Sequence, residues 1–251
     1  LKSVNTKKKN KVLRDFAILI KKNEKNIIKQ NKKDISFAIK KGLKKNMIER
    51  LILDKIKIKQ IENSIKKIVN LKDPVDKIIE KWKRPNGLRF KKVTIPIGVI
   101  GIIYESRPNV TSDVSCLCFK SGNTVILKGG SEAFNSNKTL VNLFRKALIK
   151  NNIDPNYVQL IEKRNRQVVN YMLTKMKEYI DVIIPRGGKG LVKEVQKKSA
   201  VPFIGHLEGI CHTYVDKSAN MNMAKKIILN AKLRNTAICG ATETVLFHEK
   251  I

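Results

Sequence analysis

Apolar positions over residues 4–30 recur at helical spacing. Val4, Leu13, Phe16, Ala17, Leu19, Ile20, Ile27 and Ile28 form a stripe among lysines, which predicts a helix. The pattern repeats over 31–45 around Ile35, Phe37, Ala38 and Ile39, where Gly42 interrupts it. A long amphipathic segment over 48–70 follows, and Asp73-Pro74 ends it, because the residue before a proline avoids helical geometry. This third of the chain reads as helical packing material with little chemistry.

After residue 83 the period changes. Asn86-Gly87 is a turn signal, and residues 88–94 alternate as a strand does. The apolar run over 95–104 fits a buried parallel strand. Further strands are predicted over 123–128, 157–161, 182–184 and 201–204, with helices over 110–120, 135–150, 166–175 and 189–198 between them. Strands alternating with helices imply βαβ units and a parallel sheet, whose ligands bind beyond the carboxyl ends of the strands. Segments 104–111, 128–132 and 185–190 fall there. A strand over 211–216, a helix over 221–233, a loop over 236–240 and a strand over 243–248 close the chain.

Charge changes this picture less than it first suggests. The 251 residues carry 53 Lys+Arg against 21 Asp+Glu, a formal net charge of +32. Such a balance suits counterion release on nucleic acid. Yet the basic residues divide into 43 Lys and 10 Arg and are spread along the whole chain. A binding face gathers arginines and aromatics on one surface, so the lysines read as solvated helix faces. No apolar stretch approaches the roughly 18 residues that span a bilayer, and the Lys-rich start has no apolar signal-peptide core. The four cysteines are too few and too uneven for a disulfide framework, and none shows zinc spacing with His206, His212 or His248. The expectation is a reduced, cytoplasmic, metal-free protein that binds neither membrane nor nucleic acid.

Several residues could carry chemistry. Gly129-Gly130 and Gly187-Gly188 each follow a strand and precede a helix, where backbone can approach a phosphate; ordinary turn chemistry explains them equally well. Cys239 sits in a loop of small and polar residues, Asn235 to Ala241, with the access that a nucleophile needs. Cys116 and Cys118 read as core thiols on a helix, and Cys211 as buried at a strand start. Arg107 and Arg186 follow strands and could grip carboxylate or phosphate, or be plain loop charges. Asn109 could donate to a developing oxyanion, although asparagine is also a common turn residue.

Residues 95–111, Ile-Pro-Ile-Gly-Val-Ile-Gly-Ile-Ile-Tyr-Glu-Ser-Arg-Pro-Asn-Val-Thr, closely resemble a signature of the gamma-glutamyl phosphate reductase family. That family, also called glutamate-5-semialdehyde dehydrogenase, belongs to the aldehyde dehydrogenase superfamily. The similarity continues through 120–133, 181–188, 206–212 and 230–244, in family order and spacing over roughly residues 95–248. The resemblance implies an α/β, aldehyde-dehydrogenase-like fold. A helical segment and a Rossmann-type parallel-sheet cofactor domain would occupy 1–207, and an incomplete catalytic domain would begin at 208–251.

It also implies a reaction: L-glutamyl 5-phosphate and NADPH give L-glutamate 5-semialdehyde, NADP and phosphate, a step of proline synthesis. By the same resemblance Cys239 is the nucleophile, and Asn109 pairs with the Cys239 backbone N–H as oxyanion donor. Lys128 contacts the adenosine ribose or its phosphate, and Gly129, Ser131, Glu132, Gly187 and Gly188 belong to the cofactor groove. Arg107 and Arg186 are the expected contacts to charged substrate or cofactor groups. Hydrolytic relatives carry Glu-Leu-Gly-Gly, whose glutamate activates water. Here the stretch reads His206-Leu207-Glu208-Gly209, with Glu208 displaced, which agrees with a reductase whose acyl intermediate must be kept from water.

The chain begins with Leu1 and ends 12 residues after Cys239. Together with the resemblance, whose family members continue well beyond the nucleophile, this implies a piece of a longer enzyme, inactive alone; the resemblance further implies a homo-oligomer when whole and functional coupling to a glutamate 5-kinase. Two alternatives are the reductase part of a bifunctional pyrroline-5-carboxylate synthase and a basic nucleic-acid-binding protein on a dehydrogenase-like scaffold.

Overall fold

The computed structural model describes residues 4–105, 107–165, 167–205, 209–234, 236 and 238–251. It divides the chain into two compact units, Leu1–Gly205 and His206–Ile251.

The first unit opens with helices α1 (Thr6–Lys22), α2 (Glu24–Lys40), α3 (Lys45–Leu51) and α4 (Lys55–Asn70). The periodicity expected one helix over 4–30, but the chain breaks at Asn23. Its side chain donates to the Leu19 carbonyl at 2.8 Å, competing with the helical ladder. Asn31, which marked the expected start of the next helix, is instead buried inside α2. There Nδ2 donates to Leu51 O at 2.8 Å and Ser136 Oγ at 3.0 Å, and Oδ1 accepts from Leu53 N at 2.8 Å. The segment 48–70 is likewise two helices, because Asp54 leaves the helix and accepts from Lys57 N at 2.7 Å as the cap of α4.

Strands β1 (Ile78–Lys83) and β2 (Arg89–Val93) form an antiparallel hairpin with Trp82 stacked on Phe90. The sequence reading assigned no strand to Ile78–Lys83. The hairpin is exposed along its length, so no burial pattern marks that first strand.

The central sheet contains β3 (Val99–Tyr104), β4 (Thr124–Gly129), β5 (Val158–Leu160) and β6 (Val182–Arg186), all parallel, in the order β5-β4-β3-β6. Pairing starts at Val99. Ile95 and Ile97, expected in the buried strand, are exposed; Pro96 between them has no N–H for a ladder. Segment 201–204 is no strand either: it touches the sheet through one bridge, Ile183 to Phe203, with Pro202 unable to donate.

Alternation across the sheet separates two cores. Ile100, Ile102, Tyr104, Val125 and Leu127 face α1, α4, α5 (Pro108–Lys120) and α6 (Phe134–Lys150), where Phe144 packs edge-on against Phe16 and Phe119. Ile103 and Ile183 face the other way, onto α7 (Gln167–Lys175) and α8 (Lys189–Lys198) through Met172, Leu173 and Val195. Helices on both faces of a parallel sheet bring all four strand carboxyl ends to one edge.

The second unit is a βαβ element of β7 (Cys211–Val215), α9 (Met221–Leu233) and β8 (Thr242–Phe247), its two strands parallel. Asn220 caps α9 by accepting from Met223 N at 3.0 Å. Val215, Ala241 and Thr242 are buried, whereas α9 exposes Met223, Ile227, Leu229 and Leu233.

Candidate active site

A cavity of about 820 Å³ opens in the first unit at the carboxyl ends of β3 and β4. Its walls include Glu105 after β3, Lys128 and Gly129 at the end of β4 and Gly130 to Glu132 just after it, Arg164 after β5, and Gly190, Leu191 and Glu194 of α8. Lys41, Leu43 and Met47, from the end of α2 and the start of α3, complete one side.

The loop after β4 is held from behind. Asp34 of α2 accepts from Asn135 N at 3.0 Å and Ser136 N at 2.7 Å, so a buried carboxylate satisfies the start of α6, whose own cap residue makes no such bond. Under the same loop, Tyr104 OH bonds Thr111 Oγ1 at 2.7 Å, and Thr111 Oγ1 donates to Asn137 Oδ1 at 2.9 Å. Gly129 lies against this triad. A Cβ there would collide with Asn137 Nδ2 and come within 3.1 Å of the Tyr104 ring, so glycine is required for close packing. Sequence reasoning assigned no role to Asp34, Thr111 or Asn137, and nothing short of the fold brings them together.

Lys128 is buried at the end of β4, its ammonium donating to Gly129 O at 2.9 Å. Burial pushes its pKa down, and the nearby Glu132 carboxylate opposes the shift. Gly129, Ser131 and Glu132, expected in the cofactor groove, line this cavity. Gly187 and Gly188 stand beside it, and the wall on that side is formed by Gly190, Leu191 and Glu194. Glu105 Oε2 accepts from Gly188 N at 3.0 Å, so a carboxylate occupies the start of α8.

Arg107 precedes α5 and is exposed; Arg186 is the exposed last residue of β6, its carbonyl accepting from Glu105 N at 3.1 Å. Asn109, in the first turn of α5, is exposed, and its amide reaches Asp113 Oδ2 at 3.5 Å. Asp113 also accepts from Ser64 Oγ at 3.1 Å, and burial holds its pKa above the ordinary carboxylate value.

In the second unit Cys239 is exposed, in a turn closed by Ala241 N donating to Ile238 O at 3.1 Å. Cys211, expected to be buried, is partly exposed: among the described residues β7 pairs with β8 alone. Its thiol donates to the Cys239 carbonyl at 3.2 Å. A Cβ at Gly209 would come within 2.8 Å of that same carbonyl. Cys116 and Cys118 are buried in α5; burial raises the first thiol well above its ordinary pKa and pushes the second up to about 12. Ser106, Arg166, His206, Leu207, Glu208, Asn235 and Ala237 lie outside the described residues, and with them the expected replacement of the hydrolytic base. Among the described residues no helix is long and apolar enough to cross a membrane, and no group of three or more His, Cys, Asp or Glu side chains is placed to hold a metal ion.

The lining suits a nucleotide cofactor. Leu43, Met47, Val169 and Leu191 offer an apolar wall for a flat ring, and Lys41, Lys128 and Arg164 offer cations for phosphates.

The chain matches known proteins over its whole length. A gamma-glutamyl phosphate reductase of Alkaliphilus metalliredigens is 49% identical over 251 residues, covering 100% of this chain and 60% of that protein. One from Clostridium tetani is 45% identical over 251 residues, covering 100% of this chain and 58% of its own length. This chain thus spans about 60% of the length of these curated relatives. The crystal structure of gamma-glutamyl phosphate reductase from Thermotoga maritima superposes with a TM-score of 0.91 at 40% identity, covering 100% of this chain and 60% of that one. A probable aldehyde dehydrogenase from Listeria monocytogenes shares the fold at 19% identity and a TM-score of 0.63, covering 99% of this chain and 52% of its own. The aldehyde dehydrogenase family model matches residues 1–251, and the chain belongs to that family.

Proposed function

We propose that this chain contributes the cofactor site and the nucleophile of a gamma-glutamyl phosphate reductase, which converts L-glutamyl 5-phosphate to L-glutamate 5-semialdehyde with NADPH. The observation that carries the reading is the exposed turn thiol of Cys239, in a chain that aligns from end to end with proteins of that name. In this reading residues 1–207 bind the cofactor and 208–251 begin the catalytic part.

The Cys239 thiolate attacks the acyl carbon of the acyl phosphate. The carbon–oxygen bond to phosphate breaks, phosphate leaves with the electron pair, and a thioester remains on sulfur. A bound reduced nicotinamide supplies the hydride that takes this thioester to the thiohemiacetal level. The bond between the Cys239 sulfur and the substrate carbon then breaks, its electron pair returning to sulfur, which releases the aldehyde and restores the thiolate. The Asn109 amide and the Cys239 backbone N–H are the donors proposed for the oxyanion at both stages. Lys128, Gly129, Ser131 and Glu132 hold the cofactor. Arg107 and Arg186 attract the anionic substrate, aided modestly by the net charge of +32. The acyl phosphate comes from a glutamate 5-kinase, and the whole enzyme is a cytoplasmic homo-oligomer.

The test is the reverse reaction of the protein that contains this chain. NADP reduction by glutamate 5-semialdehyde should require inorganic phosphate and disappear in Cys239→Ala. Turnover without phosphate, or undiminished turnover in that variant, overturns the reading.

A further inference from the structure

The cavity at the carboxyl edge of the sheet holds an unusual arrangement of charge. Each of its carboxylates already has a partner: Glu105 accepts from Gly188 N at 3.0 Å, Glu194 pairs with Lys198 at 3.0 Å, and Glu132 faces Lys128. Lys128 in turn donates to Gly129 O. The remaining cations of the wall, Lys41 and Arg164, form no ion pair among the described residues. Both instead rest on aromatic rings. The Arg164 guanidinium carbon lies 4.3 Å from the Phe134 centroid and 5.8 Å from that of Phe37, and Lys41 Nζ lies 5.1 Å from the same Phe37 ring.

A ring face positions a guanidinium without using its N–H donors, so the fork of Arg164 stays available to a ligand. Two cations brought to one ring, from the end of α2 and from the segment after β5, match a compact dianion better than a diffuse field. In nucleotide-binding α/β sheets, an arginine near the ribose end distinguishes a 2′-phosphate from a 2′-hydroxyl.

We infer that Arg164, seated on Phe134 and joined by Lys41 across Phe37, is the clamp for the adenosine 2′-phosphate and makes the site select NADP(H) over NAD(H). This rests on the reading of the cavity as the cofactor site. Lys128 and Glu132 serve both cofactors; Arg164 and Lys41 discriminate between them. The planar fork takes two of the three phosphate oxygens, and the Lys41 ammonium adds a point charge.

Calorimetric titration with 2′,5′-ADP and 5′-AMP tests it, because the probes differ only in the phosphate. The parent protein should bind 2′,5′-ADP at least about tenfold more tightly. Arg164→Ala should lose about tenfold or more for 2′,5′-ADP and less than about twofold for 5′-AMP, with Lys41→Ala acting in the same direction. Arg164→Lys, which keeps the charge and loses the fork, should fall between, and an unchanged melting curve shows that each variant is folded. Equal loss for both nucleotides makes Arg164 a stacking residue and overturns the inference, as does an unaffected Arg164→Ala. If the parent binds both probes alike, the inference fails while the cofactor site stands. If it binds neither, the cofactor reading itself fails and takes the inference with it.

Discussion

Glu105 Oε2 accepts a hydrogen bond from Gly188 N at 3.0 Å, joining the end of β3 to the start of α8 across 83 residues of chain. Gly188 caps α8 without any side-chain bond of its own, so Glu105 supplies the negative charge that a helix start favours. The space is tight: a Cβ on Gly187 would lie 2.7 Å from the Glu105 carboxyl carbon and 2.9 Å from Leu191 Cδ2. Glu105→Ala and Gly187→Ala should therefore each lower Tm by about 2–4 °C, because both break one contact. Their double variant should lose less than the sum of the two, since the shared Glu105 contact is counted once while the clash with Leu191 remains. Additive losses in thermal melts would show that Gly187 does not act through Glu105.

The four thiols should separate cleanly under alkylation. Cys239 is exposed, Cys211 partly exposed, and Cys116 and Cys118 are buried thiols with raised pKa values. Since the thiolate is the reacting form, iodoacetamide at pH 8 should modify Cys239 first and Cys211 next. The two α5 cysteines should remain untouched until the protein unfolds. Peptide mass spectrometry over a time course reads the order, and early labelling of Cys118 would contradict the packing of α5.

Gly129→Ala should destabilise by about 1–3 kcal/mol in urea unfolding, the usual cost of overpacking a filled site. The added methyl group must displace Asn137 or Tyr104, both fixed through Thr111. Because Gly129 also lines the cavity, the same variant should weaken nucleotide binding severalfold. A fully stable variant would mean that the Tyr104–Thr111–Asn137 triad yields more easily than its bonding implies.

Acid should weaken the fold. Burial opposes ionisation of Asp73 and Asp15. Hydrogen bonds from Val75 N, Lys9 and Thr6 to Asp73, and from Lys150 and Asn151 to Asp15, outweigh it and lower both pKa values. Hydrogen bonds from Lys59 and Lys66 lower that of Glu62. A depressed carboxylate pKa contributes stability above the unfolded-state value and loses it as pH falls through the folded one. Tm should hold from pH 7 to about 5 and fall below about 4.5. Asp113, raised by burial, works the other way and offsets part of the loss. Asp73→Asn should flatten the acid slope. Lys9→Met should cost about 1–3 kcal/mol at neutral pH, because it removes the cation paired with the Asp73 carboxylate, which keeps its bonds from Thr6 and Val75 N.

Much of this molecule was legible along the chain because its signals are local. The short apolar runs over Val99–Tyr104 and Thr124–Gly129 mark strands buried on both faces, and the apolar stripe of α1 marks a helix through the period of 3.6. The strand–helix order implied a parallel sheet, which in turn placed residues 104–111, 128–132 and 185–190 at one edge. The same local logic misread positions where a polar side chain serves a distant partner. Asn23 and Asp54 end or start helices inside apolar stripes, whereas Asn31, which resembles a break, is buried as a tie to Leu51 and Ser136. Exposed strand Ile78–Lys83 left no burial pattern to read.

What the sequence determined by itself was most of the strands and helices from residue 99 onward, the likeness to a reductase family, and the singling out of Cys239, since these rest on neighbouring residues and ordered motifs. Only the tertiary structure decided that Glu105 occupies the start of α8, that Asp34 holds the loop after β4, and that Arg164 lies on Phe134. The Glu105 and Asp34 contacts span 83 to 102 residues. No period or propensity encodes such contacts; they exist because burying both faces of the sheet brings distant strand ends together, where each charge must find a partner.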